Sequence, residues 1–252
     1  MVEQESSETH TTKGTQTRTL ILETALDLFR ERGYEETTMR AIAERAGVAL
    51  GNAYYYFRSK EHLIQAFYGK THAELLAAAR PSLETERTLK GRLLTVMNAN
   101  LEVIEPYHRF SGILFRTAAD PQSPLNPFSA ESEQVRKEST ALYAEVIDGA
   151  KLKIPEDLRK ELPFMLWLYH MGIVLFWIHD TSAGRTRTRH LITRTADILS
   201  NLITLGSKPF MRPLRKAVLK LMTELKADPP VPGNTWLDHS KSRLGAGSST
   251  PP

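Results

Sequence analysis

The chain of 252 residues contains no cysteine. This absence excludes disulfide bonds and metal sites built on thiolates, and it is typical of proteins that work in a reducing cytoplasm. The N-terminus has no basic segment followed by an apolar run, so we expect no secretory signal. The sequence also has no G-x-S-x-G elbow, no glycine-rich phosphate loop and no H-E-x-x-H pair, and it therefore argues against an enzyme, a bound metal or a cofactor.

Neither sign of charge is in large excess. Lysine and arginine number 33 against 29 aspartate and glutamate, and the sequence pI is near 9.2. This mild basic bias is compatible with nucleic acid, but affinity would have to come from individual contacts rather than from bulk charge. The length is sufficient for two domains, each with its own core.

Long hydrophobic runs are scarce. The most apolar segment extends from Leu162 to Ile178, and Pro163 and His170 interrupt it. A membrane span needs about 20 apolar residues and tolerates titratable groups poorly, so we expect no membrane segment. The pattern instead predicts a helix that is apolar on all sides, with one face on its own domain and the other on a partner subunit.

Three short helical patterns follow one another closely near the N-terminus. The first runs from Thr19 to Arg32 and ends at a glycine. The second starts after Thr38, whose hydroxyl can cap free amides, and ends at Gly47. The third begins at Ala49 and carries three consecutive tyrosines. This arrangement predicts a helix-turn-helix that reads the DNA major groove.

At these residues the chain resembles the DNA-binding domain of the TetR family of transcriptional regulators. The resemblance keeps residue type and spacing over the whole segment. It rests on Leu28-Phe29, Gly33-Tyr34, Thr37-Thr38-Met39-Arg40, Ile42-Ala43, Ala46-Gly47-Val48, Gly51, Tyr54, Phe57, Ser59-Lys60-Glu61 and Leu63.

The residue types indicate how DNA would be read. Gly51 permits close approach, Asn52 can donate and accept at a base edge, and Arg40 has the fork geometry that pairs with guanine. Tyrosine hydroxyls and Lys60 suit phosphates. The resemblance implies backbone contacts for Thr38, Tyr55, Tyr56 and Lys60, and places Arg40, Leu50, Gly51, Asn52 and Tyr54 at or near the bases.

Two positions depart from the family pattern. Ala49 stands where the family has serine or threonine, and its side chain can neither cap the helix nor contact a phosphate. Leu50 cannot hydrogen-bond to a base, so readout would depend on thymine methyl groups and on DNA shape. Alternatives also remain at single residues, because Arg40 could be a solvated surface arginine, and we expect Phe57 to lie in the core.

The predicted fold class is all-α, with an N-terminal three-helix helix-turn-helix domain followed by a larger helical domain for ligand binding and dimerisation. We expect a disordered arm at residues 1–17, the DNA-binding domain at 18–64, the second domain at 65–227 and a disordered tail at 228–252. Further helices are predicted at Ser59–Arg80, Thr85–Glu105, Pro106–Ala118, Ala130–Ala150, Leu162–Ile178, Thr186–Leu205 and Pro209–Ala227.

A pocket for a small effector is the function that we predict for the second domain. Asn100 lies on the apolar face of its helix, where it either satisfies a neighbouring backbone or anchors a ligand. His170 is either a satisfied core histidine or a ligand contact. Aromatic residues at helical spacing are also compatible with plain core. The predicted effector-binding residues are Asn100, Tyr107, Phe110, Phe115, Tyr143, Trp167 and His170, with His108 beside them.

Four arginines crowd the start of one predicted helix. They are Arg185, Arg187, Arg189 and Arg194. Cations are unfavourable at a helix N-terminus, so we expect acidic partners, with Asp180 near in sequence. A phosphate-bearing ligand such as an acyl-coenzyme A is the alternative explanation.

The resemblance implies a four-helix bundle between two subunits, and residues 162–180 and 186–205 best fit it. A homodimer would hold two helix-turn-helix units at a fixed separation on palindromic operator DNA. We therefore expect a cytoplasmic, ligand-responsive repressor that a small apolar or amphipathic effector releases. The alternative is a DNA-binding protein that has no small-molecule ligand and recruits a protein partner.

Overall fold

The computed structural model describes residues 2–227, and the regular structure of this part is helical, which confirms the predicted all-α class. The predicted tail at 228–252 lies outside the described residues. The α-helices are α1 (Val2–Arg32), α2 (Met39–Ala46), α3 (Leu50–Tyr56), α4 (Lys60–Leu83), α5 (Leu89–Ile104), α6 (His108–Ala118), α7 (Glu133–Asp148), α8 (Glu156–Ile178), α9 (Thr186–Gly206) and α10 (Arg212–Ala227). Short 3-10 helices occupy Glu105–Tyr107, Ala183–Arg185 and Pro209–Met211.

Helix α1 differs from the predicted disordered arm, because it is continuous from Val2. Residues 2–17 include no proline, and their glutamate and glutamine residues are good helix formers. Once the apolar face around Ile21 is packed, extending the helix backwards adds one hydrogen bond per residue without a new nucleation cost. Gly14 lies against the end of α3, since a Cβ there would be 3.5 Å from the Tyr56 hydroxyl.

Two glycines and one threonine set the ends of the short helices, as the sequence predicts. Gly33 has φ +88° and Gly47 has φ +67°, a region that residues with a Cβ rarely adopt. The Gly47 amide donates to the carbonyls of Ala43 and Glu44, which closes α2. The Thr38 hydroxyl accepts the Ala41 amide at 3.1 Å, which opens it.

The core of the N-terminal unit (α1–α3 with the start of α4) extends beyond its own helices. Phe110 of α6 is 1 % exposed, and its ring stacks on that of Phe29 with centroids 5.4 Å apart. Tyr107 meets Phe67 of α4 edge-on at 4.7 Å. Helix α6 therefore belongs to the core of the N-terminal unit. The other buried residues of this core include Ile21, Leu22, Leu26, Leu28, Tyr34, Met39, Ile42, Ala53, Phe57, Leu63, Ile64 and Leu114.

A second core lies between α4, α5, α7, α8 and α9, which form the C-terminal unit. Buried Arg92 of α5 stabilises it, because its guanidinium donates to the carbonyls of Leu83, Glu86, Glu145 and Val146. These carbonyls lie at or just beyond the C-terminal ends of α4 and α7, where positive charge is favourable. The core residues include Leu93, Val96, Met97, Leu142, Tyr143, Val146, Ile147, Leu166, Trp167, Ile173, Trp177, Ile192 and Ala196.

Two prolines lie inside helices, although the corresponding predicted helices end or begin beside them. Helix α4 passes Pro81 and ends at Leu83, whereas the predicted helix ends at Arg80, directly before this proline. Helix α8 begins at Glu156 and contains Pro163. A proline costs a helix one hydrogen bond, and burial of the apolar residues on both sides outweighs that cost here.

Helices α8 to α10 leave a wide apolar face uncovered in the single chain. By length and composition α8 could cross a membrane, a test that the core helix of a soluble protein also passes, and 28 % of its most apolar window is buried. The prediction that α8 is surrounded on all sides is thus met on one side only within this chain. Exposed large apolar residues on α8, α9 and the α10 segment are Leu175, Ile198, Leu202, Leu205, Phe210, Leu214, Val218 and Leu221.

Candidate nucleic-acid interface

Helix α3 is held against the core by one side and shows the other to solvent. Ala53 and Phe57 are buried, as expected for Phe57, whereas Tyr54 is 47 % and Tyr55 is 80 % exposed. Gly51 and Asn52 are exposed as well. The outward surface of α3 therefore combines a site of close approach, an amide and two phenolic hydroxyls, which together can contact base edges and phosphates.

Leu50 and Tyr56 have a mixed role. Both are half-buried and pack against the core of the N-terminal unit, so only part of each side chain is free for DNA. The Tyr56 ring meets that of Tyr55 edge-on at 5.1 Å, which orients the exposed tyrosine. The structure thus brings both residues to the predicted surface but gives them packing contacts that the sequence analysis did not anticipate.

The start of α2 contributes a second exposed edge. Thr38 and Arg40 are exposed, and the Thr38 hydroxyl already accepts an amide as the cap of α2. Arg45 forms an ion pair with Glu31 of α1 at 2.6 Å, which fixes the crossing of the two helices. Arg40 is consequently held on a rigid helix with its guanidinium in solvent.

Helix α3 lacks a side-chain cap, as the alanine at position 49 predicts. The amides of Asn52 and Ala53 bond to the Ala49 carbonyl at 2.9 and 3.1 Å, so the first turn is held by backbone bonds. The amides of the first turn that remain without intrahelical partners can be satisfied by water or by an anion.

Lys60 has partners that the sequence analysis missed. Its ammonium donates to the Tyr34 carbonyl at 2.7 Å and to the Glu35 carbonyl at 3.3 Å, and it lies 4.3 Å from the Tyr34 ring centroid. An ammonium has three hydrogens, so these contacts leave one for a phosphate. Tyr34 and Lys60 are 26 residues apart in the sequence, so no local pattern predicts that the Lys60 ammonium contacts the Tyr34 carbonyl.

The Tyr34 hydroxyl donates to the Glu61 carboxylate at 2.7 Å and ties the α1–α2 turn to the start of α4. Burial, followed by this hydrogen bond, raises the pKa of Tyr34 well above its usual value. For Glu61, burial would raise the pKa, but hydrogen bonds from Ser59 and Tyr34 outweigh it and the pKa is lowered. The turn before α2 is therefore locked in place beside the candidate interface.

The structure does not bring the predicted effector residues together. Tyr107 and Phe110 lie in the core of the N-terminal unit, because α6 packs there, and Phe115 is 36 % exposed. The hypothesis that these three share a pocket with Tyr143 is therefore corrected. Tyr143, Trp167 and His170 are buried in the C-terminal unit, and Asn100 is half-buried on α5.

Tyr143 and His170 form a buried polar pair. The Tyr143 hydroxyl and His170 Nδ1 are 2.5 Å apart. Burial lowers the pKa of His170 to about 4, with a smaller effect of nearby His72, and burial raises the pKa of Tyr143. Both groups are neutral at pH 7, as the satisfied core histidine of the sequence analysis requires.

A cleft of about 650 Å³ separates the N-terminal unit from α7. Apolar, aromatic and charged side chains alternate around it, and Lys70 on its wall bonds to Glu23 of α1 and to Glu74. The cleft therefore touches both units at once. Its lining is Arg18, Thr19, Leu22, Glu23, Tyr56, Phe57, His62, Gln65, Ala66, Gly69, Lys70, Gln134, Val135 and Glu138.

The arginine cluster before and within α9 has different partners from those expected. Arg185 pairs with Glu105 at 3.3 Å and donates to the Asp180 carbonyl at 2.8 Å. The carboxylate of Asp180 instead accepts the amide and hydroxyl of Ser182 and of Thr188. These hydrogen bonds overcome burial and hold the pKa of Asp180 well below its usual range. Asp180 therefore caps α9 and neutralises its N-terminal end.

Comparison with known proteins agrees with this geometry. Residues 21–67 match the family described as "Bacterial regulatory proteins, tetR family", and residues 92–221 match "Tetracyclin repressor-like, C-terminal domain". The fatty acid metabolism regulator protein of Bacillus subtilis is 23 % identical over 51 % of this chain and 63 % of its own length. The repressor KstR2 of Mycobacterium tuberculosis is 34 % identical over 35 % of this chain and 44 % of its own length. The chain thus spans less than two thirds of these relatives.

Solved structures share the fold. A TetR-family regulator from Syntrophomonas wolfei superposes with a TM-score of 0.58 at 18 % identity, over 74 % of this chain and 95 % of the other. FadR of B. subtilis, crystallised with stearoyl-CoA, gives a TM-score of 0.56 at 16 % identity over 71 % and 96 %. The two family matches, of which the second alone covers half of the chain, agree with the helix-turn-helix geometry, and the chain belongs to the TetR family of transcriptional regulators rather than to a class of enzymes.

Proposed function

We propose that this protein is a ligand-responsive repressor that binds palindromic operator DNA as a homodimer in the cytoplasm. The observation that carries the proposal is the outward row of Arg40, Gly51, Asn52, Tyr54 and Tyr55 on two short helices with fixed ends. These groups are exposed, whereas Ala53 and Phe57 on the other side of the same segment are buried. Such a row has the size and chemistry of a major-groove contact.

Within this row the roles divide by reach and chemistry. Asn52 and Arg40 read base edges, while Gly51 lets the α3 backbone approach the groove. Tyr54 lies at the bases, and the more exposed Tyr55 contacts phosphate. Thr38, Tyr56 and Lys60 support the backbone contacts, and Leu50 contacts a thymine methyl group from its half-buried position.

The uncovered face of α8 and α9 supports the homodimer. Leu175, Ile198, Leu202 and Leu205 are each at least 40 % exposed and lie along two neighbouring helices, and extended exposed apolar faces mark interaction sites. A two-fold axis at this face would place the two α3 helices on successive half-sites of the operator. Residues 162–180 and 186–205 remain our assignment for this interface.

Effector binding must reach α3 through the contact between the two units. The Lys70–Glu23 ion pair crosses that contact, and α6, whose Phe110 stacks on Phe29, also packs on α8. A change in the position of α4 or α6 therefore moves the N-terminal unit. We place the effector either beside Tyr143, Trp167 and His170, with Asn100 at the edge, or in the cleft between the units. The first location offers mostly aromatic groups, which suit an apolar molecule, whereas the cleft combines apolar with charged groups, which suit an amphipathic one.

The coupling is thermodynamically reciprocal. If effector and DNA favour different spacings of the two α3 helices, each weakens the binding of the other by the same factor. FadR of B. subtilis has been crystallised with stearoyl-CoA, and long-chain acyl-coenzyme A compounds are therefore the first class to test here.

The test begins with selection of bound duplexes from a random pool by the full chain. Fluorescence anisotropy on the selected duplex then measures affinity with and without stearoyl-CoA and with fractions of a metabolite extract. We expect a palindromic consensus and at least one fraction that releases the DNA. Failure to enrich any sequence over random competitor would refute the proposal.

A protein without a small-molecule effector is the second candidate, and the tight packing of the C-terminal core favours it. Leu93, Val96, Val146 and Ile147 are each 0 % exposed, and Tyr143 and His170 satisfy one another. In that case an enriched palindrome would be bound equally well with and without every fraction. A protein retained on the immobilised complex would then be the regulatory partner.

A further inference from the structure

The exposed apolar residues of the C-terminal unit do not end with α9. Phe210 is 71 % exposed in the turn after it, and Leu214, Val218 and Leu221 of α10 are 57, 37 and 54 % exposed. The family resemblance accounts for a bundle made of two helices from each subunit, and these four residues lie outside that pair of helices.

Helix α10 is fixed in its orientation, so its apolar stripe is not free to turn inward. The guanidinium of Arg215 donates to the Asp157 carboxylate of α8 at 3.0 Å and to the Gly206 carbonyl at 2.9 Å. Met211, Arg215 and Leu219, spaced by one helical turn, form the half-buried side that faces the protein. The stripe of Leu214, Val218 and Leu221 lies beside it and faces outward.

The spacing of the stripe indicates which kind of surface would cover it. Leu214, Val218 and Leu221 follow one another at intervals of four and three residues, which is the seam of a helix that packs on another helix. The seam also continues, past the turn at 207–211, the uncovered face of α8 and α9 that supports the homodimer. This continuity favours a second copy of the chain as the occupant.

The same chain presents a matching seam. Ile198, Leu202 and Leu205 of α9 are exposed at the same intervals of four and three residues, and only the short turn at 207–211 separates the two seams along the chain. In a two-fold dimer one patch meets its own copy, so two uncovered seams on one protomer can cover those of the partner.

We propose that α10 is a third helix of the subunit interface, in which its Leu214–Leu221 seam packs against the α9–α10 face of a second copy. The inference rests on the proposed homodimer and extends it beyond α8 and α9. It identifies a surface on which the stability of the dimer depends and which lies far along the chain from the DNA-binding helices.

Sedimentation velocity on the full chain over a concentration series tests the proposal. The double variant Leu214→Glu/Leu221→Glu adds two negative charges to the seam. The matched control Lys216→Ala/Thr223→Glu changes the net charge equally, on exposed positions of α10 outside the seam. Because all four positions are exposed in the single chain, the helical circular dichroism should not change. We expect the seam variant to raise the dimer dissociation constant about tenfold or more. The control should leave it within about twofold of the wild-type value.

The variant Leu202→Glu on α9 separates the two proposals. If Leu202→Glu weakens the dimer and the seam variant does not, the role of α10 is wrong while the homodimer stands. If the wild-type chain is monomeric at every concentration, both fail. A monomeric wild-type chain that floats with anionic lipid vesicles would identify a membrane as the occupant and also overturn the inference.

Discussion

The Tyr143 hydroxyl lies 2.5 Å from Nδ1 of His170, and this hydrogen bond joins α7 to α8 inside a mostly apolar core. Removing either group leaves the other without its partner in a region of low dielectric, where an unmade hydrogen bond costs about 1–3 kcal/mol. The pair thus makes the packing of α7 on α8 sensitive to protonation.

The pH dependence of stability follows from the lowered pKa of His170. With a pKa of about 4 in the folded chain and about 6.5 in the unfolded one, the folded state disfavours protonation. The contribution of neutral His170 to the free energy of unfolding is fully present above about pH 6.5 and is lost as the pH falls towards about 4. Between pH 7.5 and pH 5 the loss should be about 2 kcal/mol, measured by urea unfolding at each pH.

The variant His170→Gln is the control for this effect, because it keeps a hydrogen-bonding group but cannot be protonated. Its stability should fall less than that of the wild type over the same pH interval. His72 is also buried with a lowered pKa and contributes a dependence of the same sign, so some loss will remain. Equal pH profiles for wild type and His170→Gln would contradict the assignment.

Arg92 is the second buried polar residue with a measurable consequence. Its guanidinium donates to four carbonyls from two helix ends, and Arg92→Met would remove this donor from all of them, while the Glu145 carbonyl would still accept the Gly149 amide. We expect a loss of about 3 kcal/mol or more in the free energy of unfolding, measured with guanidinium chloride. Arg92→Lys should fall between wild type and Arg92→Met, because an ammonium cannot reproduce the planar fork.

A neighbouring glycine gives an independent check of this geometry. A Cβ at Gly149 would overlap the Arg92 guanidinium, which its four hydrogen bonds hold in place. Gly149→Ala should therefore destabilise the wild-type chain but cost little in the Arg92→Met background. Additive losses from the two substitutions would show that they do not touch.

The sequence predicts the local features of this fold well. Thr38, Gly33 and Gly47 mark helix ends by the conformations and hydrogen bonds that only certain residue types allow, and those signals are read within a few residues. The predicted start of the first helix at Thr19 differs from the observed one, because the polar first half of α1 has no apolar period of its own. It continues a helix whose packed face lies further along the chain.

The effector site could not be predicted in the same way. Tyr107 and Phe110 have the helical spacing of pocket or core residues, and spacing alone does not say which of two cores they join. The contact of Phe110 with Phe29 decides that, and it links residues far apart in sequence. The pairs Lys60–Tyr34 and Arg185–Glu105 were missed for the same reason.

Gly69 distinguishes the two proposed locations of the effector. It lies inside α4 on the wall of the cleft, and a Cβ there would meet nothing within 4 Å. Gly69→Leu should fill part of the cleft and raise the free energy of unfolding by up to about 1 kcal/mol, because glycine is a poor helix former. Operator affinity in the absence of effector should not change.

The effector response then decides the location. If the effector binds in the cleft, Gly69→Leu should abolish release of DNA by the active fraction while Gly69→Ala largely keeps it. If the effector binds beside His170, both variants should respond like the wild type. Anisotropy titrations on the selected duplex measure both outcomes.

Tyr55 provides the most direct test of the DNA interface, because 80 % of its side chain is exposed and its removal leaves the core intact. Tyr55→Ala should lower operator affinity about tenfold through loss of a phosphate contact, with unchanged thermal stability and unchanged sedimentation. Tyr55→Phe removes the hydroxyl and keeps the ring. We expect this variant to show most of the loss in operator affinity that Tyr55→Ala shows. Lys60→Ala is a poorer test, since it also removes the bonds to the α1–α2 turn. Wild-type affinity for Tyr55→Ala, Tyr54→Ala and Asn52→Ala alike would show that the exposed side of α3 does not face the duplex.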